Sequence, residues 1–239
     1  MRILITICAR GGSKGLPGKN VKLLNGKHLI GYTIEFANKI FKSFDPKIEL
    51  STDDNEIIAV AKKYGLCSNY IRPKNLASDN SGKLETIRHL LDYSEKIEKI
   101  NYDFIIDLDV TSPLRTIKDI ENAFKILNET KRATNIFSVN SANKNPYFNM
   151  IEINNEGFAE LVKFKSDKYL TRQSSPKVYE LNAAFYIYKR IFFDSKKLNV
   201  INKNSIAFEM DHISFDIDNL IDFDFMNYLL ESNKLKNII

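Results

Sequence analysis

Cysteine is scarce in this chain of 239 residues, which contains only Cys8 and Cys67. Both lie in apolar stretches typical of strands, so the sequence excludes a disulfide framework and indicates a reducing, cytoplasmic environment. No apolar run approaches the length of a membrane-spanning helix, and the first residues form a short strand pattern rather than a secretory signal. We therefore expect a cytoplasmic protein without a membrane partner.

Charge of one sign is also limited, because the formal net charge is +5 and lysine and glutamate are interspersed along the chain. Such a diffuse charge provides no basic patch for nucleic acid, although it favours a small anionic substrate. The hydrophobic fraction of 44% and the length suffice for a large core. Repeats, low-complexity tracts and long linkers are absent from the sequence. These features predict one globular enzyme domain over residues 1–239.

Strand and helix patterns alternate along the first part of the chain. The strands are predicted at Arg2–Cys8, Lys47–Ser51, Cys67–Ile71, Phe104–Leu108 and Asn135–Val139. Helical spacing of apolar residues predicts helices at Ile30–Phe41, Asn55–Tyr64, Gly82–Ile97 and Ile117–Glu129. This alternation predicts an α/β fold, with a mostly parallel sheet covered by helices on both faces. Ligands of such sheets bind at the carboxyl ends of the strands.

The alternation ends near Asn143, and residues 141–180 are polar and irregular. We interpret residues 141–180 as an excursion from the main domain, with a mobile lid over the site as the alternative. The chain then returns to the core with a predicted strand at Ala183–Tyr188. It ends with a predicted strand at Ile213–Ile217 and a predicted helix at Leu220–Leu230.

A glycine-rich loop follows the first strand, in the string I-C-A-R-G-G-S-K-G-L-P-G-K-N from Ile7 to Asn20. Glycine allows backbone N–H groups to approach an anion, and the loop also carries the cations Arg10, Lys14 and Lys19. The spacing of its glycines matches neither the Walker A motif nor the dinucleotide-binding fingerprint. The loop therefore predicts a polyphosphate site, with a glycine-rich turn bearing solvated lysines as the alternative.

A second informative pattern is Asp216-Ile217-Asp218, near the end of the chain. On a strand the two carboxylates point to the same side, and two like charges this close are unfavourable unless a cation lies between them. Mg²⁺ suits them, since it binds one or two carboxylates together with substrate phosphates. In the alternative interpretation, Asp218 or Asn219 caps the last helix, with Asp222 in its first turn.

Several segments resemble, in the same order, those of the acylneuraminate cytidylyltransferases, also called CMP-sialic acid synthetases. They span nearly the whole chain and comprise Ala9–Asn20, Ser51–Asp53, Arg72–Asp79, Thr111–Arg115, Arg172-Gln173, Tyr179–Asn182 and Asp216–Asp218. The resemblance implies a three-layer, Rossmann-like nucleotidyltransferase fold of the GT-A-like type. It also implies a homodimer, in which residues 141–180 pack against the second subunit and contribute to the sugar site.

The reaction implied by the resemblance transfers CMP from CTP to the anomeric hydroxyl of a nine-carbon 2-keto sugar acid and releases pyrophosphate, with Mg²⁺ as cofactor. The implied nucleotide-binding residues are Arg10, Gly11, Gly12, Ser13, Lys14, Lys19, Asn20, Arg72 and Lys83. The implied catalytic residues are Lys19, Arg10 and Asp216, and the implied metal ligands are Asp216 and Asp218.

The residues implied at the acceptor sugar are Asp109, Arg172, Gln173, Tyr179 and Asn182. Asp109 stands where the family usually has glutamine, and an ionised aspartate only accepts hydrogen bonds. If Asp109 contacts the sugar, the acceptor is expected to differ from N-acetylneuraminate; a structural ion pair with Arg115 is the alternative. Two further departures are Lys83, near which relatives carry nucleotide-contacting serines, and Ala183, where glycine is common. The string Asn145–Asn149, together with Asp109, resembles members that act on legionaminic acid.

Other classes of protein stay open at this point. A 3-deoxy-manno-octulosonate cytidylyltransferase resembles this family in fold but carries a shorter phosphate loop. A sugar-phosphate nucleotidyltransferase is a further alternative, and so is a catalytically silent sugar-nucleotide binding protein. The silent protein is disfavoured because it would not need the carboxylate pair, and a dinucleotide-dependent oxidoreductase is disfavoured by the glycine spacing.

Overall fold

The computed structural model describes residues 1–78, 81–163, 169, 171, 173–235 and 238. Its strands are β1 (Ile3–Cys8), β2 (Leu23–Leu24), β3 (Lys27–His28), β4 (Lys47–Ser51), β5 (Phe104–Leu108), β6 (Asn135–Ser141), β7 (Ile151–Ile153), β8 (Ala159–Leu161), β9 (Tyr179–Lys189) and β10 (Ser205–Glu209). Its α-helices are α1 (Leu29–Ala37), α2 (Asn55–Lys63), α3 (Lys83–Glu98), α4 (Ile117–Glu129) and α5 (Leu220–Glu231). None of the described helices is long and apolar enough to cross a membrane.

A six-stranded sheet forms the centre of the molecule, in the order β10-β6-β9-β5-β1-β4. β1 pairs in parallel with β4 and with β5, and β10 pairs in parallel with β6. β9 is antiparallel to both of its neighbours, β5 and β6. The sheet is therefore mostly parallel, and the predicted α/β fold is confirmed. The carboxyl ends of β1, β4 and β5 lie side by side at one edge, where the glycine-rich loop begins.

Both faces of the central sheet are covered by helices. Ile3, Ile5 and Ile7 of β1 are buried in one core together with side chains of α1, α2, α4 and α5. Leu4 of β1 and Ile105 of β5 are buried in a second core with side chains of α3. Successive side chains of a strand point to opposite faces, so one strand supplies both cores. The predicted three-layer arrangement is confirmed.

Capping boxes fix the first residues of two helices near the carboxyl edge of the sheet. The Asn219 side chain accepts a hydrogen bond from the backbone N–H of Asp222, and the Asp222 carboxylate accepts one from the backbone N–H of Asn219. Thr116 and Asp119 form the same arrangement at α4. A cap of this kind stabilises a helix by roughly 1 kcal/mol. Because Asn219 caps α5, the carboxylate of Asp218 is not used as the cap.

The predicted strand Cys67–Ile71 is wrong, because these residues, all of them described, join no sheet. The backbone N–H of Arg72 donates to the carbonyl of Thr52 (2.9 Å), just past the end of the edge strand β4. Tyr70 and Arg72 are buried and Ile71 is exposed, so burial alternates here without a ladder of hydrogen bonds. Cys67 itself is exposed, which contradicts its predicted apolar surroundings.

The predicted strand Ile213–Ile217 is also wrong, since this stretch is not assigned to a strand. The backbone N–H of Ile217 donates to the carbonyl of Thr111 (2.9 Å), which holds the stretch beside the loop after β5. The last strand of the sheet is β10, which the sequence did not predict because its edge position leaves most of its side chains partly or largely exposed. The predicted helix Ile30–Phe41 ends early, at Ala37.

A hairpin apart from the central sheet lies between β6 and β9. Its strands, β7 and β8, pair with each other in a two-stranded antiparallel sheet. Ile151, Ile153 and Phe158 are 61%, 72% and 65% exposed. Ile151 and Ile153 share one face of the hairpin, and exposed apolar side chains grouped in this way mark surfaces that bind other molecules. The hairpin is therefore a candidate contact surface within the predicted excursion.

Candidate active site

The glycine-rich loop leaves β1 at the carboxyl edge of the sheet and ends in a short 3₁₀ helix, Lys19–Val21. Gly18, directly before this helix, has φ +65, a left-handed backbone conformation that glycine adopts without steric cost. The turn is closed by a hydrogen bond from the backbone N–H of Lys19 to the carbonyl of Leu16 (3.1 Å). Lys19 and Asn20 are thereby placed at the end of the loop.

Two glycines of the loop lie where a side chain would collide with neighbouring segments. A Cβ atom at Gly15 would be 2.2 Å from the carbonyl oxygen of Asp218, and one at Gly11 would be 2.3 Å from a carboxylate oxygen of Asp54. The backbone N–H of Gly11 also donates to Asp53 Oδ1 (3.2 Å). Close backbone approach therefore joins this loop to the segment after β4 and to the Asp216–Asp218 segment.

Lys19 connects the glycine-rich loop to the Asp216–Asp218 segment. Its Nζ donates to the carbonyl oxygen of Ile217 (2.5 Å) and to Asp218 Oδ1 (3.3 Å), and its side chain is only 11% exposed. Asn20 is buried, and its Nδ2 donates to the carbonyl oxygen of Arg10 (2.9 Å). The structure thus brings together two patterns that lie almost 200 residues apart.

A cavity of about 390 Å³ opens beside the loop, and an adjoining cavity of about 260 Å³ shares its wall at Cys8 and Arg10. The first cavity is lined by Cys8, Arg10, Ser13, Lys14, Gly15, Lys19, Asn20, Thr111 and Asp218. The second is lined by Cys8, Arg10, Arg72, Leu76, Ser78, Ser81, Lys83, Thr86 and Asp109. Most of the implied nucleotide-binding residues therefore surround one continuous site.

A larger cavity, of about 760 Å³, lies between α1, the start of α4 and the end of α5. None of the described residues that the sequence implicates in binding or catalysis lines it, and its Lys27 is already paired with Glu35 (2.7 Å). The converging cations and carboxylates lie instead in the two smaller cavities. We therefore assign the active site by chemistry rather than by volume.

Arg72 is buried at the end of β4 rather than on the surface. Its Nε donates to Ser51 Oγ (2.9 Å), and its Nη2 donates to the carbonyl oxygen of Ser51 (2.7 Å). Hydrogen bonds to backbone and hydroxyl oxygen hold the guanidinium without neutralising it. Arg72 therefore contributes positive charge to the smaller cavity.

Lys83 lies at the first position of α3 and bridges two carboxylates of β5 and its following loop. Its Nζ donates to Asp109 Oδ2 (2.6 Å) and lies 2.8 Å from Asp107 Oδ2, a contact that lacks hydrogen-bond angles and is an ion pair. Burial opposes the charge of Lys83, but the two carboxylates outweigh it and raise the pKa well above its usual value. The ammonium therefore stays protonated.

Asp109 pairs with Lys83, so the alternative of an ion pair with Arg115 is wrong. Arg115 Nη1 donates instead to the carbonyl oxygen of Asp109 (2.8 Å). Burial alone would raise the pKa of Asp109, but Lys83 and two hydrogen bonds from Thr111 lower it to about 2. Asp109 is therefore an anion whose position is fixed on both sides.

Asp216 lies against the same loop. Its Oδ1 lies within hydrogen-bond distance of Thr111 Oγ1 (2.8 Å) and of Ser112 Oγ. Each hydroxyl has a single proton, which Asp216 shares with Asp109 Oδ1 at Thr111 and with the Asn182 carbonyl oxygen at Ser112. Burial raises the pKa of Asp216, and the negative charge of Asp109 raises it further. The negative charge of Asp216 therefore lacks full compensation from protein groups.

The carboxylates of Asp216 and Asp218 suit a divalent cation that completes its shell with substrate oxygens. They are hard oxygen donors, and the charge at Asp216 would be stabilised by a cation. The described residues contain no cluster of three or more His, Cys, Asp or Glu side chains that could hold a metal. The expected strand geometry does not apply, because the segment is not a strand; Asp218 is 76% exposed and contacts Lys19.

The residues implied at the acceptor sugar are less closely grouped. Arg172 lies outside the described residues. Gln173 and Tyr179 are exposed and line neither of the two site cavities. Asn182 is buried, with its amide bonded to Ser138 and Asn140, and its carbonyl oxygen accepts from Ser112 Oγ (2.8 Å).

Ala183 follows Asn182 in a left-handed conformation, with φ +57. This backbone conformation explains why glycine is common at the position, since a Cβ atom costs roughly 1 kcal/mol there. The strain lies directly beside the carbonyl that holds Ser112.

Asp107, for which the sequence indicated no role, contacts Lys83 in the structure. The sequence nevertheless contains a feature that indicates a role for this residue, because Asp107 is a charged residue within the apolar run Phe104–Leu108. A charged residue inside a buried strand requires a partner of opposite charge. The pattern did not identify which cation that partner is.

Solved structures similar to this chain are nucleotidyltransferases. A CMP:2-keto-3-deoxy-manno-octonic acid synthetase complexed with CTP matches with a TM-score of 0.71 at 16% identity, over 98% of this chain and all of the other. A 4-diphosphocytidyl-2C-methyl-D-erythritol synthase from Anaerococcus prevotii matches with a TM-score of 0.64 at 11% identity, over 96% of both chains. At these identities the similarity shows the fold, which is of the nucleotidyltransferase type.

The family model described as Cytidylyltransferase matches residues 4–237, so the chain belongs to the cytidylyltransferase family. A CMP-N,N'-diacetyllegionaminic acid synthase of Campylobacter jejuni is 41% identical over 99% of this chain and 97% of that protein. The Legionella pneumophila protein of the same name is 33% identical over 98% of both. The post-translational flagellin modification protein B of Campylobacter coli is 40% identical over 98% of this chain and 97% of that protein. The predicted enzyme class, a nucleotidyltransferase of this family, is confirmed.

Proposed function

We propose that the enzyme transfers CMP from CTP to the anomeric hydroxyl of a nonulosonic acid of the legionaminic type and releases pyrophosphate. One observation carries the proposal: Lys19 at the end of the phosphate loop contacts the Asp216–Asp218 segment, so cations and carboxylates converge at one cavity. Similarity over nearly the whole chain to two proteins named CMP-N,N'-diacetyllegionaminic acid synthase supports the choice of acceptor.

The triphosphate binds in the larger of the two site cavities. Arg10, Lys14 and Lys19 supply positive charge, and the loop supplies backbone N–H groups around Gly11, Gly12 and Ser13. The nucleoside extends into the smaller cavity, where Arg72 and Lys83 are held. Asn20 fixes the loop through the carbonyl of Arg10.

The reaction requires positioning and charge neutralisation more than covalent work by the protein. The anomeric hydroxyl of the acceptor loses its proton to water, and its oxygen forms a bond to the α-phosphorus of CTP. The bond from this phosphorus to the bridging oxygen breaks, and pyrophosphate leaves in line. Lys19 neutralises charge that develops near the α-phosphate. Asp216 and Asp218 would hold Mg²⁺, which would supply Lewis-acid stabilisation of the phosphate oxygens.

The acceptor binds beside Asp109, on the side of the site that Thr111 connects to Asp216. Arg172 is proposed to bind the acceptor carboxylate, because a guanidinium pairs with a carboxylate through two hydrogen bonds. Gln173 and Tyr179 are proposed to contact the sugar in the dimer, and Asn182 to act through Ser112.

Pyrophosphate release from CTP tests this function directly. The enzyme is offered N,N'-diacetyllegionaminic, pseudaminic and N-acetylneuraminic acids, with 3-deoxy-manno-octulosonate and a hexose 1-phosphate as controls. We expect pyrophosphate release with Mg²⁺ and the legionaminic acid, and loss of this release when a chelator is added.

Release only with the octulosonate would indicate an octulosonate cytidylyltransferase, and release only with the hexose 1-phosphate would indicate a sugar-phosphate nucleotidyltransferase. CTP binding with no release from any acceptor would favour the silent binding protein.

We also propose that the enzyme is a homodimer held by the hairpin of β7 and β8, with residues 141–180 as an insertion in a single catalytic domain of residues 1–239. The double variant Ile153→Asp with Phe158→Asp is expected to convert the dimer to a monomer, because it places charge on the exposed apolar surface. Light scattering coupled to size-exclusion chromatography measures the change. Ile221→Asp, at a residue 79% exposed on α5, is the control and should leave the dimer intact. A monomeric unmodified enzyme would contradict the proposal.

A further inference from the structure

Asp107 on β5 is a buried carboxylate at the edge of the active site. It is 0% exposed, and its register partners are Thr6 on β1 and Tyr186 on β9. Thr6 Oγ1 donates to Asp107 Oδ1 (2.8 Å), and Lys83 Nζ lies 2.8 Å from Asp107 Oδ2. A buried carboxylate without a cation is costly, so Asp107 holds the Lys83 ammonium in place.

Lys83 keeps hydrogen-bonding capacity after these contacts. Its ammonium has three donors, of which one goes to Asp109 Oδ2 and the ion pair with Asp107 takes at most one more. Asp109 keeps an acceptor position as well, because Oδ1 receives two hydrogen bonds from Thr111 and Oδ2 receives the one from Lys83. Both residues line the smaller site cavity. The pair therefore offers one donor and one acceptor to a ligand there.

The chemistry of a matching ligand group follows from the spacing and charge of the pair. Lys83 Nζ and Asp109 Oδ2 are 2.6 Å apart, so one ligand oxygen can contact both. A hydroxyl fits, since it accepts from Lys83 and donates to Asp109 at the same time. A phosphate oxygen would be repelled by Asp109, and an ammonium by Lys83. The geometry favours a neutral hydroxyl.

We propose that the Lys83–Asp109 pair binds one sugar hydroxyl of a substrate and that Asp107 is the positioning residue of this pair. The proposal rests on the proposed function, which brings two sugar rings to the site: the ribose of CTP and the acceptor. Without Asp107 the ammonium of Lys83, on its flexible four-carbon stem, loses the buried partner that fixes it. The hydroxyl is then bound by a donor that is free to move.

Substrates that differ by one hydroxyl test the pair. The ribose arm compares CTP with 2′-deoxy-CTP and 3′-deoxy-CTP, and the acceptor arm compares N,N'-diacetyllegionaminic acid with its 4-deoxy and 8-deoxy analogues. We expect unmodified enzyme to prefer the hydroxylated substrate of one ring, in kcat/KM, by on the order of 10²-fold or more. Asp107→Asn is expected to lower this preference about tenfold, by weakening turnover of the hydroxylated substrate alone. The arm in which Asp107→Asn lowers the preference identifies whether the pair binds the ribose of CTP or the acceptor sugar.

Two further variants separate positioning from stability. Thr6→Val removes the hydrogen bond that Thr6 Oγ1 donates to Asp107 and should lower the preference in the same direction. This variant tests the proposal if Asp107→Asn does not fold. Asp119→Asn removes another buried carboxylate, which pairs with His212 (2.8 Å) away from the site, and should lower the melting temperature with the preference unchanged. A lower melting temperature in Asp107→Asn with an unchanged preference would overturn the positioning role.

Binding measurements separate this proposal from the proposed function. Calorimetry of CTP and its deoxy analogues, and of the acceptor pair, needs no turnover. An enzyme without turnover that still discriminates in binding would contradict the proposed function and support the hydroxyl site. An active enzyme with equal kcat/KM and equal affinity for hydroxylated and deoxy substrates in both arms would contradict the proposed hydroxyl site. The proposed function would not be affected by that result.

Discussion

Lys19→Met is expected to lower kcat for CMP transfer by on the order of 10²–10³-fold. The Lys19 ammonium is fixed by the carbonyl oxygen of Ile217 and by Asp218, and its third donor is left for a phosphate oxygen. A cation held in advance needs little reorganisation when charge develops on the α-phosphate. Methionine keeps the length of the side chain and removes the charge, so the loss reports the charge itself.

The measurement is steady-state pyrophosphate release, with CTP binding determined separately by calorimetry. Lys22→Met is the matched control, because Lys22 lies three residues further on, is exposed and contacts the ring of Phe223 at 5.4 Å. It should change kcat by no more than about twofold, as expected for a surface substitution. A Lys19→Met enzyme with an unchanged kcat and a raised KM for CTP would show that Lys19 acts in binding alone.

Gly15→Ala is expected to lower kcat/KM by about 10²-fold, the effect of displacing catalytic groups by about 1 Å. The added Cβ would lie 2.2 Å from the carbonyl oxygen of Asp218, so the glycine-rich loop and the Asp216–Asp218 segment must separate. Lys19 would lose its contacts with that segment at the same time. The substitution therefore acts on the distance between the cations and the carboxylates.

Gly12→Ala provides the comparison for this prediction. Among the described residues, no heavy atom of another segment lies within 4 Å of a Cβ at Gly12, so its backbone can stay in place. Its kcat/KM should exceed that of Gly15→Ala by about tenfold or more, since it avoids the displacement that reduces catalysis. Similar losses in both variants would mean that the loop tolerates no side chain for reasons other than its contact with Asp218. Circular dichroism of both variants excludes global unfolding as the cause.

Several features of the fold were predictable because their signals are local. The bounds of Lys47–Ser51, Phe104–Leu108 and Ile117–Glu129 agree with the structure, since apolar periodicity and a capping residue act over a few positions. The same periodicity failed at Cys67–Ile71 and Ile213–Ile217, where only Tyr70 and Ile217 are buried and no neighbouring strand pairs with the chain. Local apolar periodicity does not determine strand pairing, because pairing depends on which segment lies alongside.

The sequence by itself determined that three cations share one glycine-rich loop, because Arg10, Lys14 and Lys19 and the glycines between them lie in one continuous stretch; this is the basis of the predicted polyphosphate site. It also led to the prediction that Asp216 and Asp218 are metal ligands, although the strand geometry behind that prediction is absent from the structure. Charges and glycines that are neighbours in the chain are neighbours in space whatever the rest of the fold does.

Only the tertiary structure decided which charges pair. Asp109 is six residues from Arg115 and twenty-six from Lys83, yet its carboxylate pairs with Lys83. Lys19 contacts Asp218, which is 199 residues away in the sequence. Asp107 has a partner only because α3 brings Lys83 next to it. The physical reason is that an ion pair depends on distance and burial across the edge of the sheet, and the order of β1, β4 and β5 sets both.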